Sequence, residues 1–120
     1  MDACIVLGVA SLAIALLLGS AAFAQAPPAP THTLVTIDTG NKFQQVLASS
    51  GTERRMLRIS NNNTNGDSCW VFVGSSRAFK EASYAVLPGK EYLRYPPLVP
   101  ADAIQATCAS SSDTLDVEYQ

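Results

Sequence analysis

The feature that most constrains this chain is the alternation of apolar and polar residues in short segments that end at turn-forming residues. In RMLRIS, for example, Leu57 and Ile59 alternate with Arg58 and Ser60 before the chain reaches the turn-forming run NNNTNGD. Side chains of a β-strand point alternately to opposite faces, so this period of two is typical of strands with one buried face. Such segments occur at 32–38, 43–48, 55–60, 69–74, 84–87, 91–95, 103–108 and 114–119.

About seven or eight strands separated by turn residues at this spacing predict an all-β protein. We expect a single small antiparallel β-sandwich over residues 32–120, either Ig-like or jelly-roll-like. Only SRAFKEAS, residues 76–83, has the pattern of a helix, and that segment is short.

The N-terminus has the organisation of an export signal. Residues 4–18 form an uninterrupted apolar run, and Ala22-Phe23-Ala24 follows as a small-x-small pattern. The run falls short of the about 20 apolar residues that a membrane span needs. We therefore expect a signal peptide over residues 1–24, cleaved after Ala24, and a secreted or periplasmic protein. Extension of the run through Phe23 leaves an uncleaved membrane anchor as the alternative, and the signal-like segment departs from the usual pattern because it begins with Asp2 and no basic residue. Residues 25–31 form a proline-rich leader.

Two of the three cysteines, Cys69 and Cys108, remain after such cleavage. Two thiols in an oxidising compartment most simply form a disulfide bond. In CWVFV, Cys69 lies on the same strand face as residues 71 and 73, and in AIQATC, Cys108 shares an apolar face with residues 104 and 106. We predict a structural bond between them on the core faces of two strands.

The composition argues against several classes of function. The formal net charge is −2, which favours neither nucleic acid nor an anionic membrane as a partner. The single histidine, His32, is distant in sequence from both cysteines, and there is no CxxC motif. A cysteine nucleophile, a redox pair and a zinc site therefore all lack their usual partners. We expect no catalytic residues, no metal site and no cofactor.

The run NNNTNGD, residues 61–67, resembles the first half of a calcium-binding loop in the spacing of Asn61, Asn63 and Asn65. The position that should carry the bidentate glutamate is Phe72, however. Asparagine and glycine also dominate tight turns, and we therefore predict a plain hairpin turn here.

Aromatic residues supply the candidate binding surface. Trp70 and Phe72 share the strand face opposite Cys69, and Tyr84, Tyr92 and Tyr95 can extend an aromatic surface of this kind. The predicted candidate surface consists of Trp70, Phe72, Tyr92 and Tyr95. An exposed aromatic patch usually marks a binding site. The alternative is that the segment 76–83, with Phe79, crosses over Trp70 and Phe72 and covers them.

The series RRMLRISNNN, CWVFVG, VLPGKEY, VPADAIQATC and TLDVEY resembles small β-sandwich modules that serve as accessory or decoration pieces of bacteriophage virions. The resemblance covers about residues 41–119 and implies a sandwich fold, but it implies no functional residues. The export signal and the predicted disulfide bond depart from such modules.

Two hypotheses about function follow. The first is an exported, non-enzymatic binding or interaction module whose partner is an unidentified protein or carbohydrate. The second is a structural or assembly subunit of a cell-envelope or virion-like particle, in which an edge strand pairs with a neighbour.

Overall fold

The computed structural model describes residues 29–120, and the regular secondary structure of these residues is almost entirely β. The predicted signal peptide, residues 1–24, and residues 25–28 of the leader lie outside the described residues. The one helical element within 29–120 is a 3-10 turn, Lys80–Ala82, inside the segment that we expected to be helical. The strands are β1 (Thr31–Thr36), β2 (Gln44–Leu47), β3 (Leu57–Ser60), β4 (Cys69–Val73), β5 (Tyr84–Val86), β6 (Glu91–Arg94), β7 (Ile104–Cys108) and β8 (Thr114–Tyr119). Each overlaps one predicted segment, so the all-β prediction is confirmed.

The eight strands form two four-stranded antiparallel sheets. One sheet has the strand order β1-β8-β3-β6 and the other has the order β2-β7-β4-β5. Strands from the two halves of the chain therefore pair, β1 with β8, β2 with β7, β3 with β6 and β4 with β5. This is the order of an eight-stranded jelly roll, which is the second of the two sandwich types predicted.

The core lies between the two sheets and is built from the strand positions that alternation assigned to it. Leu57 and Ile59 of β3 and Leu115 and Val117 of β8 point inward from one sheet. Their polar neighbours along each strand are half-buried on the outer face. The other sheet contributes the inward residues Cys69, Val71, Val86, Ile104, Ala106 and Cys108, all buried.

The disulfide bond joins the two central strands of the β2-β7-β4-β5 sheet. Cys69 of β4 and Cys108 of β7 are direct partners in the antiparallel register. Their Cα atoms are 3.9 Å apart, and both side chains are fully buried in the core. The predicted bond is therefore confirmed, and its two strands are neighbours within one sheet.

The connection after β3 passes from one sheet to the other, so the prediction of a plain hairpin turn at residues 61–67 is wrong. Asn61 at its start is fully buried. Its amide nitrogen donates to the carbonyl oxygens of Asp67 and Val86, each at 2.9 Å. Its backbone N–H donates to the carbonyl of Lys90 at 3.0 Å, and its own carbonyl accepts from the N–H of Gly89 at 2.8 Å. One asparagine thus binds both the crossover and the connection between β5 and β6.

Arg54 is a second buried polar residue that holds loops together. Its guanidinium donates to the carbonyl oxygens of Pro100 at 2.6 Å, Asp102 at 2.9 Å and Ala48 at 2.5 Å. Burial lowers the pKa of Arg54 because the charged form loses water, and the nearby acidic groups, Tyr119 first, act in the opposite direction.

We expect the disulfide bond to contribute substantially to stability. Replacement of both cysteines, Cys69→Ala with Cys108→Ala, should lower the free energy of unfolding by about 2–5 kcal/mol, because the bond restricts the unfolded chain. Denaturant titration of the oxidised protein and of the double variant measures this difference. Reductant should destabilise the parent protein and leave the double variant unchanged. Two free thiols in a denatured, alkylated sample of the exported protein would contradict the bond.

Substitution of Asn61 should lower the stability of the protein more than substitution of its exposed neighbour, Asn62. Asn61→Ala removes the partner of several buried backbone groups, so we expect the free energy of unfolding to fall by about 3 kcal/mol. Asn62 is exposed, and Asn62→Ala should change it by only about 0.5 kcal/mol. Parallel urea titrations compare the two variants. Equal effects would show that the buried hydrogen bonds of Asn61 do not hold the crossover.

Candidate functional site

The four aromatic residues of the candidate surface lie in two different places. Trp70 and Phe72 are on the outer face of the β2-β7-β4-β5 sheet, opposite the buried Cys69 and Val71. Tyr92 pairs in register with the buried Ile59 and so points between the two sheets. The single surface suggested by the sequence is therefore divided between an outer face and one side of the sandwich.

On the outer face, the segment 76–83 covers the aromatic pair, as the alternative proposed. The ring of Phe79 lies 6.1 Å from that of Phe72, which also makes an edge contact with Phe43 at 6.4 Å. The Lys80 ammonium lies 3.9 Å from the ring centroid of Trp70, a distance at which a cation is attracted to an aromatic face. Phe72 is consequently buried, and Trp70 is half-buried.

At the side of the sandwich, a cleft opens between the edge strands β5 and β6. We call it the tyrosine cleft, and its volume is about 660 Å³, within the range of small-molecule sites. Tyr84 pairs with the buried Val71 and so faces inward from β5, and its ring lies 5.1 Å from that of Tyr92. Tyr92 forms the floor with 6% exposure, whereas Tyr84 and Tyr95 are 50% and 60% exposed. The cleft is lined by Val73, Tyr84, Tyr92, Leu93, Arg94, Tyr95, Pro96, Leu98 and Pro100.

Among residues 29–120, Arg94 supplies the only formal charge of the cleft lining. Its guanidinium carbon lies 4.2 Å from the ring centroid of Tyr92 and 5.1 Å from that of Tyr84. Its Nη1 donates to the carbonyl oxygen of Leu93 at 2.9 Å. Within residues 29–120, no carboxylate lies within 4 Å of it. Two tyrosine side chains and one backbone carbonyl thus hold the cation, and no carboxylate of the described residues pairs with it.

Burial also favours the protonated form of Tyr92 on the cleft floor. The pKa of Tyr92 is raised because burial disfavours the phenolate, and the positive charge of Arg94 acts in the opposite direction. Tyr92 is therefore a neutral phenol at physiological pH, so it does not neutralise the positive charge of Arg94.

A second concave surface lies on the outer face of the β1-β8-β3-β6 sheet, and its charges are paired. His32 lies 3.4 Å from Asp116, while Arg58 hydrogen-bonds Glu118 and lies 3.9 Å from Glu91. Asp116 and Glu118 face outward on β8, where they alternate with the buried Leu115 and Val117. Exposed ion pairs of this kind contribute little to stability, and each partner already satisfies the other.

A third groove lies on the side of the sandwich opposite the tyrosine cleft, beside the edge strands β1 and β2. Its volume is about 490 Å³, and it includes Thr33, Val46 and Arg54. The guanidinium of Arg54 already donates hydrogen bonds to three backbone carbonyl oxygens, so the positive charge of this groove is engaged within the protein. The two sides of the sandwich therefore differ in whether their arginine is available to a ligand.

The asparagine side chains with calcium-like spacing form hydrogen bonds with other residues of the protein. Asn63 donates to the carbonyl of Thr114 and accepts from its N–H, each at 2.9 Å. Asn65 donates to the Asp113 carboxylate at 2.7 Å. Across residues 29–120, no group of three or more His, Cys, Asp or Glu residues has the arrangement of a metal site.

Arg94 was not predicted as a site residue, and Tyr84 was predicted only as a residue that can extend the aromatic surface. Tyr84 starts a three-residue strand, and Arg94 stands in a segment whose apolar residue, Leu93, points away from Arg94. The pattern EYLRY therefore does not reveal that Tyr92 and Arg94 share the inward face. The signal that can find them is the density of tyrosines at 84, 92 and 95 around one arginine.

Comparison of the chain with protein-family models, curated proteins and solved structures finds no match. The resemblance to virion modules therefore stays a prediction. No helix among residues 29–120 has the length and apolar character needed to cross a membrane.

Proposed function

We propose that the protein is an exported, non-enzymatic binding module and that the tyrosine cleft holds a carbohydrate ligand. The observation that carries the proposal is the open cleft between β5 and β6 in which Tyr84, Tyr92 and Tyr95 surround an accessible space of about 660 Å³.

The chemistry of the lining suits a sugar. Tyrosine combines an apolar ring, which packs against the C–H face of a pyranose, with a hydroxyl that forms hydrogen bonds to sugar hydroxyls. Tyr84 and Tyr95 are half or more exposed, so their rings are open to such contacts. Their positions on or next to edge strands of a cross-linked sandwich reduce the ordering cost of binding.

The shape of the cleft favours a small ligand over a flat protein partner. A stable protein interface buries about 800 Å² on each partner, whereas the tyrosine cleft is a concave site at one side of a small domain. A concave, mostly apolar site with a few polar groups is typical of small-ligand binding.

The cysteine chemistry supports export. The disulfide bond between Cys69 and Cys108 is buried and lies at the centre of its sheet, and such bonds persist in oxidising compartments. The signal-like segment 1–24, with cleavage after Ala24, completes the proposal of a secreted or periplasmic module.

An assembly subunit is the second candidate, and the edge strand β1 favours it. Leu34 on this strand is 63% exposed, and β1 pairs only with β8 within the described residues. An unprotected edge of this kind is a template for pairing with another chain, and jelly rolls occur in capsid proteins as well as in lectins.

The substitution Tyr84→Ala should weaken carbohydrate binding about tenfold, equivalent to about 1.4 kcal/mol, because it removes one exposed ring from the cleft. Titration of the purified protein with oligosaccharides, followed by NMR shifts of the tyrosine rings, measures the affinity. Leu34→Ala removes an exposed apolar side chain outside the cleft and should leave binding unchanged. Equal affinities of the parent and Tyr84→Ala would contradict the assignment of the cleft.

Size-exclusion chromatography separates the two candidates. A binding module should elute as a monomer, and Leu34→Glu should not alter its elution. An assembly subunit should elute as an oligomer that Leu34→Glu dissociates, because a charge on an edge strand opposes strand pairing. An oligomer disrupted in this way would favour the second candidate.

A further inference from the structure

The charge of Arg94 points to the chemical class of the ligand, and this inference rests on the proposed carbohydrate-binding function. We propose that the tyrosine cleft binds an acidic sugar, with the guanidinium of Arg94 binding the carboxylate of a uronic acid residue.

The first argument is charge complementarity. Arg94 is the only charged residue that lines the cleft, and in the described part of the chain it has no acidic partner within 4 Å. By contrast, Arg58 is paired with Glu118 and Glu91, and Arg54 is bound by three carbonyl oxygens. Of these three arginines, Arg94 is therefore the one whose charge a ligand can neutralise.

The second argument is hydrogen-bonding capacity. A guanidinium has five N–H groups in a planar arrangement. Among residues 29–120, that of Arg94 donates to the Leu93 carbonyl and also interacts with the Tyr92 hydroxyl. The remaining N–H groups are available to the two oxygens of a carboxylate, the partner that a guanidinium binds bidentately.

The third argument is that the cation is already positioned. Contacts with the rings of Tyr92 at 4.2 Å and Tyr84 at 5.1 Å hold the guanidinium beside the exposed aromatic surface. A sugar packed on Tyr84 or Tyr95 therefore has its ring on an aromatic face and its acidic substituent next to a fixed positive charge. An immobilised arginine loses less conformational entropy on binding than a free one.

The test uses the disulfide-bonded domain and pairs of probes. Oligosaccharides of galacturonate, glucuronate and mannuronate are each compared with their carboxyl-reduced counterparts, in which the carboxylate is a primary alcohol, and with a sulfated neutral oligosaccharide. Isothermal titration measures the affinities. We expect at least one uronate to bind about tenfold or more tightly than its reduced counterpart and than the sulfated probe.

Variants connect this preference to Arg94. Arg94→Gln should remove the preference for the uronate, so that the uronate and its reduced counterpart bind this variant with affinities within about twofold of each other. Arg77 is exposed and lies outside the cleft lining, so Arg77→Gln makes the same change in net charge and should preserve the preference. Thermal unfolding of each variant establishes that it is folded.

The outcomes distinguish this inference from the function on which it rests. Equal binding of uronates and reduced sugars, or equal loss with Arg77→Gln, would overturn the acidic-sugar assignment while leaving a carbohydrate module. Equal affinity for the sulfated probe would replace carboxylate recognition with attraction to any anion and would also overturn it. Absence of binding to every probe would overturn both proposals.

Discussion

The architecture depends on the hydrogen bonds of one buried side chain, that of Asn61. An amide removed from water destabilises the fold unless every polar atom finds a partner, and this amide is satisfied by Asp67, Val86 and Asn63. It lies where the chain leaves the β1-β8-β3-β6 sheet for the other sheet, eight residues before Cys69. The disulfide bond restricts the separation of β4 and β7 within one sheet. The Asn61 network does the complementary task of attaching that sheet to the other.

The same network positions the proposed ligand site. Asn61 binds the last residue of β5 through the Val86 carbonyl, and it binds the residue before β6 through the Lys90 carbonyl. β5 carries Tyr84, and β6 carries Tyr92 on the cleft floor together with Arg94. The hydrogen bonds of Asn61 therefore connect β5 and β6 at the end of each strand that lies away from these cleft residues. A site supported in this way is held by the scaffold, which is what pre-organised binding requires.

Local patterns predicted the strands and their faces because one buried face imposes a period of two on the sequence. That rule also placed Cys69 and Cys108 inward, which is why the bond was predictable. It did not apply to Asn61 and Arg54, because these residue types are usually found in turns and on surfaces. Their burial depends on carbonyl oxygens from distant loops. The cleft was only half predictable for a similar reason: Tyr92 and Arg94 meet Tyr84 through the pairing order of a jelly roll, and neither short segment contains information about that order.

The two proposed functions use opposite sides of the sandwich, and their physical requirements differ. Strand addition requires a long edge with free backbone groups. β1 has six residues, whereas β5 has three and β6 is followed by Pro96 and Pro97, which have no N–H to donate. The β5–β6 side is therefore a poor template for another strand, and its open space is suited to a ligand that binds through side chains. The exposed Leu34 is on the other side, along β1. Ligand binding at the tyrosine cleft and association through β1 are thus sterically independent, so substitutions at Arg94 and Leu34 are expected to have additive effects.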